Sequence, residues 1–164
     1  MGSMELIVQL ATVVSAIVAA TSLVFSYCDN RKKRIQKLNE DTIEAYGKIQ
    51  SDVLDKFAPI SKDEVIDFIN NYSDTPEEKE IYNGYRVLLA RLEHFAVGVN
   101  CGAYSIKIVD QLGGIHLIFL IQKLMPVIDK SIENSSIKEG MYSHILELYE
   151  ELKNIHQNVG ENQK

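Results

Sequence analysis

The feature that most constrains this chain is an uncharged stretch of 22 residues, Leu6 to Tyr27. As an α-helix it would cover about 33 Å, enough for the roughly 30 Å hydrocarbon core of a bilayer. Eleven of its residues are Leu, Ile, Val or Phe, so membrane insertion outweighs the modest cost of its Gln, Ser and Thr side chains. We therefore predict a transmembrane helix over residues 4–28.

A basic cluster follows this span and consists of Arg31, Lys32, Lys33, Arg34 and Lys37. A cleaved signal peptide would carry its positive charge before the apolar stretch, where this chain has Glu5. The positive-inside rule then predicts that the N-terminus lies outside and that the rest of the chain is cytoplasmic. Residues 1–3, which precede Met4, are expected to be a cloning remnant.

Small and polar residues of the span recur at alternating steps of three and four, the spacing of a seam between packed helices. The positions are Glu5, Val8, Thr12, Ser15, Ala19, Ser22, Ser26 and Asp29. In lipid, helices associate through close packing of small side chains and through Ser and Thr hydrogen bonds. Homo-oligomerisation, with a seam that could also line a water-filled path, is therefore predicted through Thr12, Ser15, Ala19, Ser22 and Ser26. The alternative is a simple anchor whose hydroxyls bond back to their own helix.

The rest of the chain predicts an all-α fold, because apolar residues recur at helical spacing and no strand pattern stands out. We predict a basic juxtamembrane stalk helix over 29–58, a cytosolic helical domain over 59–160 and a disordered tail over 161–164. The fold class is therefore one N-terminal transmembrane helix that continues into a cytosolic helical bundle.

Two capping boxes locate helix starts within the cytosolic domain. Ser61 with Glu64 predicts a helix over 62–72, and Thr75 with Glu78 predicts one over 76–100. Three more helices are predicted over 106–112, 115–132 and 137–158. Gly113 and Gly114 separate the first two, and Met141 is expected on the core stripe of the last. The apolar run 117–121 is expected in a buried core helix, since polar residues interrupt it too early for a second span.

Composition and motifs argue against several functional classes. Residues 38–164 carry 12 of the 17 basic and 21 of the 23 acidic side chains, so their net charge is negative. A net negative charge argues against binding of duplex nucleic acid. Cys28 and Cys101 lack the spacing of a zinc site or a disulfide framework, which indicates a reducing compartment. His144 and the acidic residues on its helix face are interpreted as solvated rather than as metal ligands. Without a phosphate loop or a nucleophile motif, we predict a non-enzymatic protein with no cofactor.

A polar cluster interrupts the apolar pattern of the helix predicted over 76–100. Arg91, His94 and Gly98 share one helix face, and Arg offers a planar fork of donors to an anion. His and Tyr rings can stack on a base, and Gly permits close approach of a ligand to the backbone. The predicted ligand-binding residues are Arg86, Arg91, His94, Asn100, Tyr104 and Lys107. The alternative is that Arg91 pairs with an acidic residue inside the bundle.

The segment Arg91 to Tyr104, RLEHFAVGVNCGAY, with Gly113-Gly114 and Pro126 downstream, resembles a bacterial family of unknown-function proteins with one N-terminal span and a helical cytosolic domain. Some members of that family resemble the membrane effectors of anti-phage systems, including Hailong-type systems. In those systems a nucleotidyltransferase makes a nucleotide signal that controls a channel-forming partner.

This resemblance implies a homo-oligomeric effector of the bacterial inner membrane that acts in anti-phage defence. It would be a pore or ion channel gated by an oligonucleotide bound to the cytosolic domain. Its expected partners are the lipid membrane, further copies of the chain, and a short single-stranded oligonucleotide made by a partner nucleotidyltransferase. The alternative function is a membrane-tethered protein-interaction module without conduction.

Overall fold

The computed structural model describes residues 2–135 and 140–161, with the side chains of 3–14, 16–18 and 158–161 outside the described part. The elements, in chain order, are α1 (Ser3–Ile49), a π-helical turn (Gln50–Leu54), α2 (Asp55–Phe57), α3 (Lys62–Asn70), α4 (Pro76–Asn100), α5 (Ile106–Glu133) and α6 (Ser143–Glu161). No strand occurs within the described ranges, which agrees with the predicted all-α class.

The chain divides into two compact units, Met1–Leu38 and Asn39–Lys164. The first unit contains the part of α1 up to Leu38, and every residue from 19 to 37 in it is exposed. The predicted span over residues 4–28 falls largely on side chains outside the described part, although its backbone is helical from Ser3 onward.

Helix α5 is the central element of the second unit. Among the described residues, α5 is the one helix that is long and apolar enough to cross a membrane, and its mean hydropathy is 1.4. Here it packs against α3, α4 and α6, and Leu117, Ile121 and Leu124 on it are fully buried. This packing agrees with the prediction that the run 117–121 belongs to a core helix, although Phe119 within the run is 60% exposed.

Both predicted capping boxes are present. The Ser61 hydroxyl accepts a hydrogen bond from the Glu64 N–H at 3.1 Å, and the Glu64 carboxylate accepts one from the Ser61 N–H at 2.6 Å. Thr75 and Glu78 make the same reciprocal pair at 3.3 Å. These bonds satisfy N–H groups that a helix start leaves without partners, so they place the starts of α3 and α4 where predicted. Helix α3 ends at Asn70, two residues earlier than predicted.

The two helices predicted over 106–112 and 115–132 form a single element, α5, with a kink at Gly113. The backbone leaves the helical region at this residue and resumes it at the next one, so no loop separates the two parts. A Cβ atom at Gly113 would overlap the hydroxyl of Tyr46 from α1. Glycine is therefore needed here for the close approach of that tyrosine.

The last helix was predicted over 137–158, and this start is wrong, because α6 begins at Ser143. Gly140 and Tyr142 have left-handed backbones, with φ of 83° and 60°, so the segment just before Ser143 is not helical. Met141 therefore precedes the helix, and it is half-buried rather than on a helical core stripe. Ile137 lies outside the described residues.

A side chain from another helix defines the start of α6. The Glu93 carboxylate on α4 accepts hydrogen bonds from the N–H groups of His144 at 3.3 Å and Ile145 at 3.0 Å. A carboxylate at a helix N-terminus satisfies free N–H donors and interacts favourably with the helix dipole. Glu93 thus caps α6 from 51 residues away.

Two lysines of α5 cap the C-terminal ends of earlier helices. The Lys123 ammonium donates to the Phe57 carbonyl at 2.8 Å, and the Lys130 ammonium donates to the Ile69 carbonyl at 3.0 Å. Carbonyls at a helix C-terminus lack intrahelical donors, and a cation there complements the dipole. These contacts connect α2 and α3 to the core helix.

Candidate ligand-binding groove

A groove of about 480 Å³ opens between the C-terminal part of α1 and α4. This volume is in the range typical of small-molecule sites. Its lining is mostly apolar with a few charged and polar groups: Ala45, Lys48, Ile49, Asp52, Val87, Ala90, Arg91, His94, Phe95 and Tyr104. We call this cavity the Arg91 groove.

A second cavity of about 320 Å³ adjoins the Arg91 groove and shares Ala45, Lys48 and Tyr104 with it. It adds Asp41, Glu44 and Ala103 to the lining. The two cavities together follow α1 from residue 41 to the π-helical turn at residue 52, which is about 16 Å of helix at 1.5 Å per residue. The combined groove is therefore elongated along α1.

An ion pair spans the Arg91 groove. One guanidinium nitrogen of Arg91 on α4 lies 2.8 Å from a carboxylate oxygen of Asp52 in the π-helical turn, and both side chains are 47% exposed. This is the internal pairing that the sequence left open as the alternative for Arg91. Because both side chains of the pair are half-exposed, we expect it to add no more than about 1 kcal/mol to stability. An anion in the groove can therefore compete with Asp52 for the guanidinium.

A second pair lies one turn earlier on α1, where the Lys48 ammonium contacts the Glu44 carboxylate at 2.6 Å. The hydrogen bond and the charge of each group shift the pKa of the other, so the pKa of Glu44 is lowered and that of Lys48 is raised. Both groups are exposed. Each cation of the groove is thus balanced by a carboxylate on α1 or the π-helical turn.

Tyr104 forms one wall of the groove. Its ring stacks on Phe95 with centroids 5.6 Å apart and an interplanar angle of 21°. A Cβ atom at Gly98 would overlap the Tyr104 ring, so the space at Gly98 is filled by this tyrosine and not by a ligand, contrary to the role predicted for it. Residues 101–105, which connect α4 to α5 and carry Tyr104, form a loop. This loop is held against α1 by the hydroxyl of buried Thr42, which accepts a hydrogen bond from the Ser105 N–H at 2.9 Å.

Comparison with known proteins gives the chain a family. The family model described as a domain of unknown function (DUF4760) matches residues 6–154. The chain belongs to this family. No curated protein and no solved structure matches it. The DUF4760 match covers the Arg91 groove and most of α1, and its description assigns no activity, so function has to be argued from the site.

The structure of this DUF4760 member brings three of the six predicted ligand-binding residues together. Arg91, His94 and Tyr104 line the Arg91 groove. Arg86 lines a different cavity of about 270 Å³ beside Tyr82 and the end of α5. Lys107 is exposed on the first turn of α5.

Asn100 faces α6 instead of the groove. Its amide nitrogen donates to the Glu147 carboxylate at 2.8 Å and to the His144 carbonyl at 3.2 Å. Its amide oxygen is buried and has no hydrogen-bond partner among the described residues. Asn100 therefore joins the end of α4 to the first turns of α6, close to the Glu93 cap.

The sequence did not single out the carboxylates and the lysine that α1 contributes. Glu44, Lys48 and Asp52 recur at steps of four, and Lys48 and Asp52 each directly precede a buried residue of the stalk, Ile49 and Val53. Polar residues that border a core stripe are candidates for a groove rim. Which border faces α4 is decided only by the packing of the bundle.

The predicted seam lies in the first unit. Ser15, Ala19, Ser22 and Ser26 are exposed along α1, and the side chain of Thr12 lies outside the described part. No group of three or more His, Cys, Asp or Glu able to hold a metal ion occurs among the described residues. His144 and Glu147, on the helix face interpreted as solvated, lie 3.4 Å apart.

Proposed function

We propose that this chain is a non-enzymatic, homo-oligomeric membrane effector whose N-terminal helices form or gate a pore. The helical domain would bind a short single-stranded oligonucleotide signal in the Arg91 groove, in anti-phage defence at the bacterial inner membrane. One observation carries the proposal. One wall of the groove belongs to α1 and the π-helical turn that follows it, and α1 is the helix that begins at Ser3 and contains the predicted span.

The charges of the groove support competition as the binding mechanism. Arg91 and Lys48 are paired with Asp52 and Glu44, so the groove offers no uncompensated positive charge. A phosphate would have to displace a carboxylate to reach a cation. Arg91 presents a planar donor fork suited to phosphate, and the exposed His94 ring beside it suits base stacking. Binding would therefore separate Asp52 from Arg91.

The π-helical turn supports a conformational response to that separation. Hydrogen bonds in a π-helical turn join residues five positions apart instead of the four of an α-helix, and such turns are frequent at functional sites. Conversion of the turn to α-helix would rotate α1 relative to α2 by about 100°, which is one residue of helix. Asp52 lies inside this turn, so its release from Arg91 would act on the segment able to convert.

The energy that gating requires can come from several subunits. Shifting an assembly from mostly closed to mostly open, or the reverse, takes about 5.5 kcal/mol of differential binding. The seam through Thr12, Ser15, Ala19, Ser22 and Ser26 is the proposed contact between subunits, and its small side chains permit close packing in lipid. With the N-terminus outside, the groove faces the cytoplasm, where a nucleotidyltransferase would supply the signal.

The decisive experiment reconstitutes the full chain in planar bilayers and records current with and without short single-stranded oligonucleotides. Binding is measured in parallel by fluorescence anisotropy. An oligonucleotide-dependent change in conductance, together with saturable binding, is the expected result. Absence of both current and binding would overturn the proposal.

A second candidate function is a membrane-tethered protein-interaction module without conduction. It is favoured by exposed apolar residues of α5: Leu112, Ile115 and Phe119 are 41%, 40% and 60% exposed, and Leu112 and Phe119 line one cavity. Contiguous exposed apolar residues are typical of protein contacts. In the bilayer experiment this function gives no current under any condition, and Phe119→Ser would abolish partner capture without changing oligonucleotide binding.

A further inference from the structure

The described part of α1 in the first unit carries large apolar side chains that no other described residue of that unit covers. Leu23, Val24, Phe25 and Tyr27 are 72%, 62%, 76% and 71% exposed. Four large apolar residues at this exposure, within five positions of one helix, require an apolar environment or a partner. Tyr27 is the last of them, and tyrosine is enriched at the boundary between hydrocarbon and headgroups.

The basic cluster follows immediately and surrounds the helix. At 100° per residue, Arg31, Lys32, Lys33, Arg34 and Lys37 point to nearly all sides of α1. Every one of these side chains is exposed. Lys33 pairs with Asp29 at 2.7 Å, whereas the other four form no ion pair with any described residue. We call Arg31, Lys32, Arg34 and Lys37 the basic belt.

With Tyr27 at the hydrocarbon boundary, the basic belt begins near the outer edge of the headgroup layer and extends beyond it. Arg31 is four residues beyond Tyr27 and Lys37 is ten, which is about 6 Å and about 15 Å of helix. The headgroup region adds roughly 5 to 7 Å to the hydrocarbon on each side. Long Arg and Lys side chains can reach back toward this layer, and the Debye length of about 8 Å keeps the farther charges within range.

We propose that the basic belt is a binding site for anionic lipid headgroups, an inference that rests on the proposed membrane anchoring of α1. The ring of cations is complementary to negatively charged headgroups on every side of the helix. Segments of four or more Lys and Arg next to a span are typical of such recognition. The belt then determines how deep α1 sits and recruits phosphatidylglycerol-type lipids around each copy of the chain.

The test uses the full chain with Cys101→Ser, which leaves Cys28, exposed and three residues before Arg31, as the single cysteine for a fluorescent label. The labelled protein is placed in lipid nanodiscs with nitroxide quenchers on either phosphatidylglycerol or phosphatidylcholine. We expect phosphatidylglycerol to quench at least about twice as strongly. Raising the salt to 1 M should remove the difference, because it shortens the Debye length to about 3 Å.

Matched variants separate local charge from total charge. Replacing the belt residues Arg31, Arg34 and Lys37 together by Gln should make quenching by phosphatidylglycerol equal to quenching by phosphatidylcholine. Replacing Lys56, Lys62 and Lys79, which are exposed in the second unit, by Gln removes the same charge and should leave the preference intact. Equal quenching by both lipids in the parent protein would overturn the inference. Failure of the full chain to enter nanodiscs would instead overturn the membrane anchor itself.

Discussion

Arg91 of α4 and Asp52 of the π-helical turn lie 2.8 Å apart across the groove, so one ion pair joins the two walls of the candidate site. This pair accounts for the position of a charged residue inside an apolar helix pattern, and it occupies one nitrogen of the guanidinium that is proposed to contact an anionic ligand. The same contact thus joins α4 to the π-helical turn and, under the proposed function, is the contact that a phosphate must displace.

If an anionic ligand competes with Asp52, removing the carboxylate charge should favour the ligand. Asp52→Asn is expected to tighten oligonucleotide binding about tenfold, which is 1.4 kcal/mol. Unfolding free energy should fall by no more than about 1 kcal/mol, because the pair is half-exposed. Anisotropy titration and urea unfolding of the full chain in detergent measure both effects. The control Asp55→Asn, on an exposed residue of α2, should leave affinity unchanged. Weaker binding by Asp52→Asn would show that the carboxylate contacts the ligand or orders Arg91.

Arg91→Ala removes the proposed phosphate contact itself. Loss of a charge-assisted hydrogen bond should weaken oligonucleotide binding by about 1.5 to 3 kcal/mol, while the protein stays in the membrane fraction. Arg86→Ala is the comparison, because Arg86 lies five residues earlier on the same helix but lines a different cavity. We expect it to bind as the parent chain does. Equal loss in both variants would place the ligand outside the Arg91 groove.

Glu93 is expected to stabilise the folded chain because it caps the N-terminus of α6. Glu93→Ala leaves the N–H groups of His144 and Ile145 without their acceptor, and loss of an N-terminal cap costs about 1 to 2 kcal/mol. Urea unfolding followed by circular dichroism measures this change. Glu151→Ala, an exposed carboxylate within α6 itself, should change the unfolding free energy by less than about 0.5 kcal/mol. A neutral result for Glu93→Ala would mean that water replaces the cap at little cost.

Two glycines of α4 are expected to respond in opposite directions to alanine. At Gly84 a Cβ atom meets nothing, so Gly84→Ala should stabilise the helix by about 0.5 to 1 kcal/mol. At Gly98 a Cβ atom overlaps the Tyr104 ring, so Gly98→Ala should destabilise by about 1 to 3 kcal/mol and displace the groove wall. Thermal unfolding ranks the two variants. Stabilisation by both would show that the Tyr104 loop moves freely away from α4.

Buried Tyr46 predicts an alkaline loss of stability. Burial raises the pKa of the Tyr46 hydroxyl above its ordinary value near 10, because the charged form is disfavoured away from water. The unfolded chain then loses its proton at lower pH than the folded chain, so stability is complete below about pH 10 and falls as the pH rises further. Tyr46→Phe should reduce this slope above about pH 10. An unchanged slope would assign the alkaline loss to other groups.

Local sequence patterns were enough to predict the position of several helices. The boxes Ser61–Glu64 and Thr75–Glu78 place the starts of α3 and α4 correctly, because both partners lie within one helical turn of each other. The apolar run 117–121 also indicated a core helix, and Leu117 and Ile121 within it are fully buried. Such signals depend on neighbours three or four positions apart, and these are adjacent in any helix, whatever surrounds it.

The start of α6 and the composition of the site were decided by contacts between distant parts of the chain. Glu93 caps α6 from 51 residues away, and Asp52 pairs with Arg91 from another helix. Of the six residues predicted to bind a ligand, Arg91, His94 and Tyr104 meet in one groove, while Asn100 turns to α6. Helical periodicity specifies which residues share a face of one helix. Which faces meet depends on the packing of the whole bundle around α5, because burial energy is a property of all contacting surfaces together.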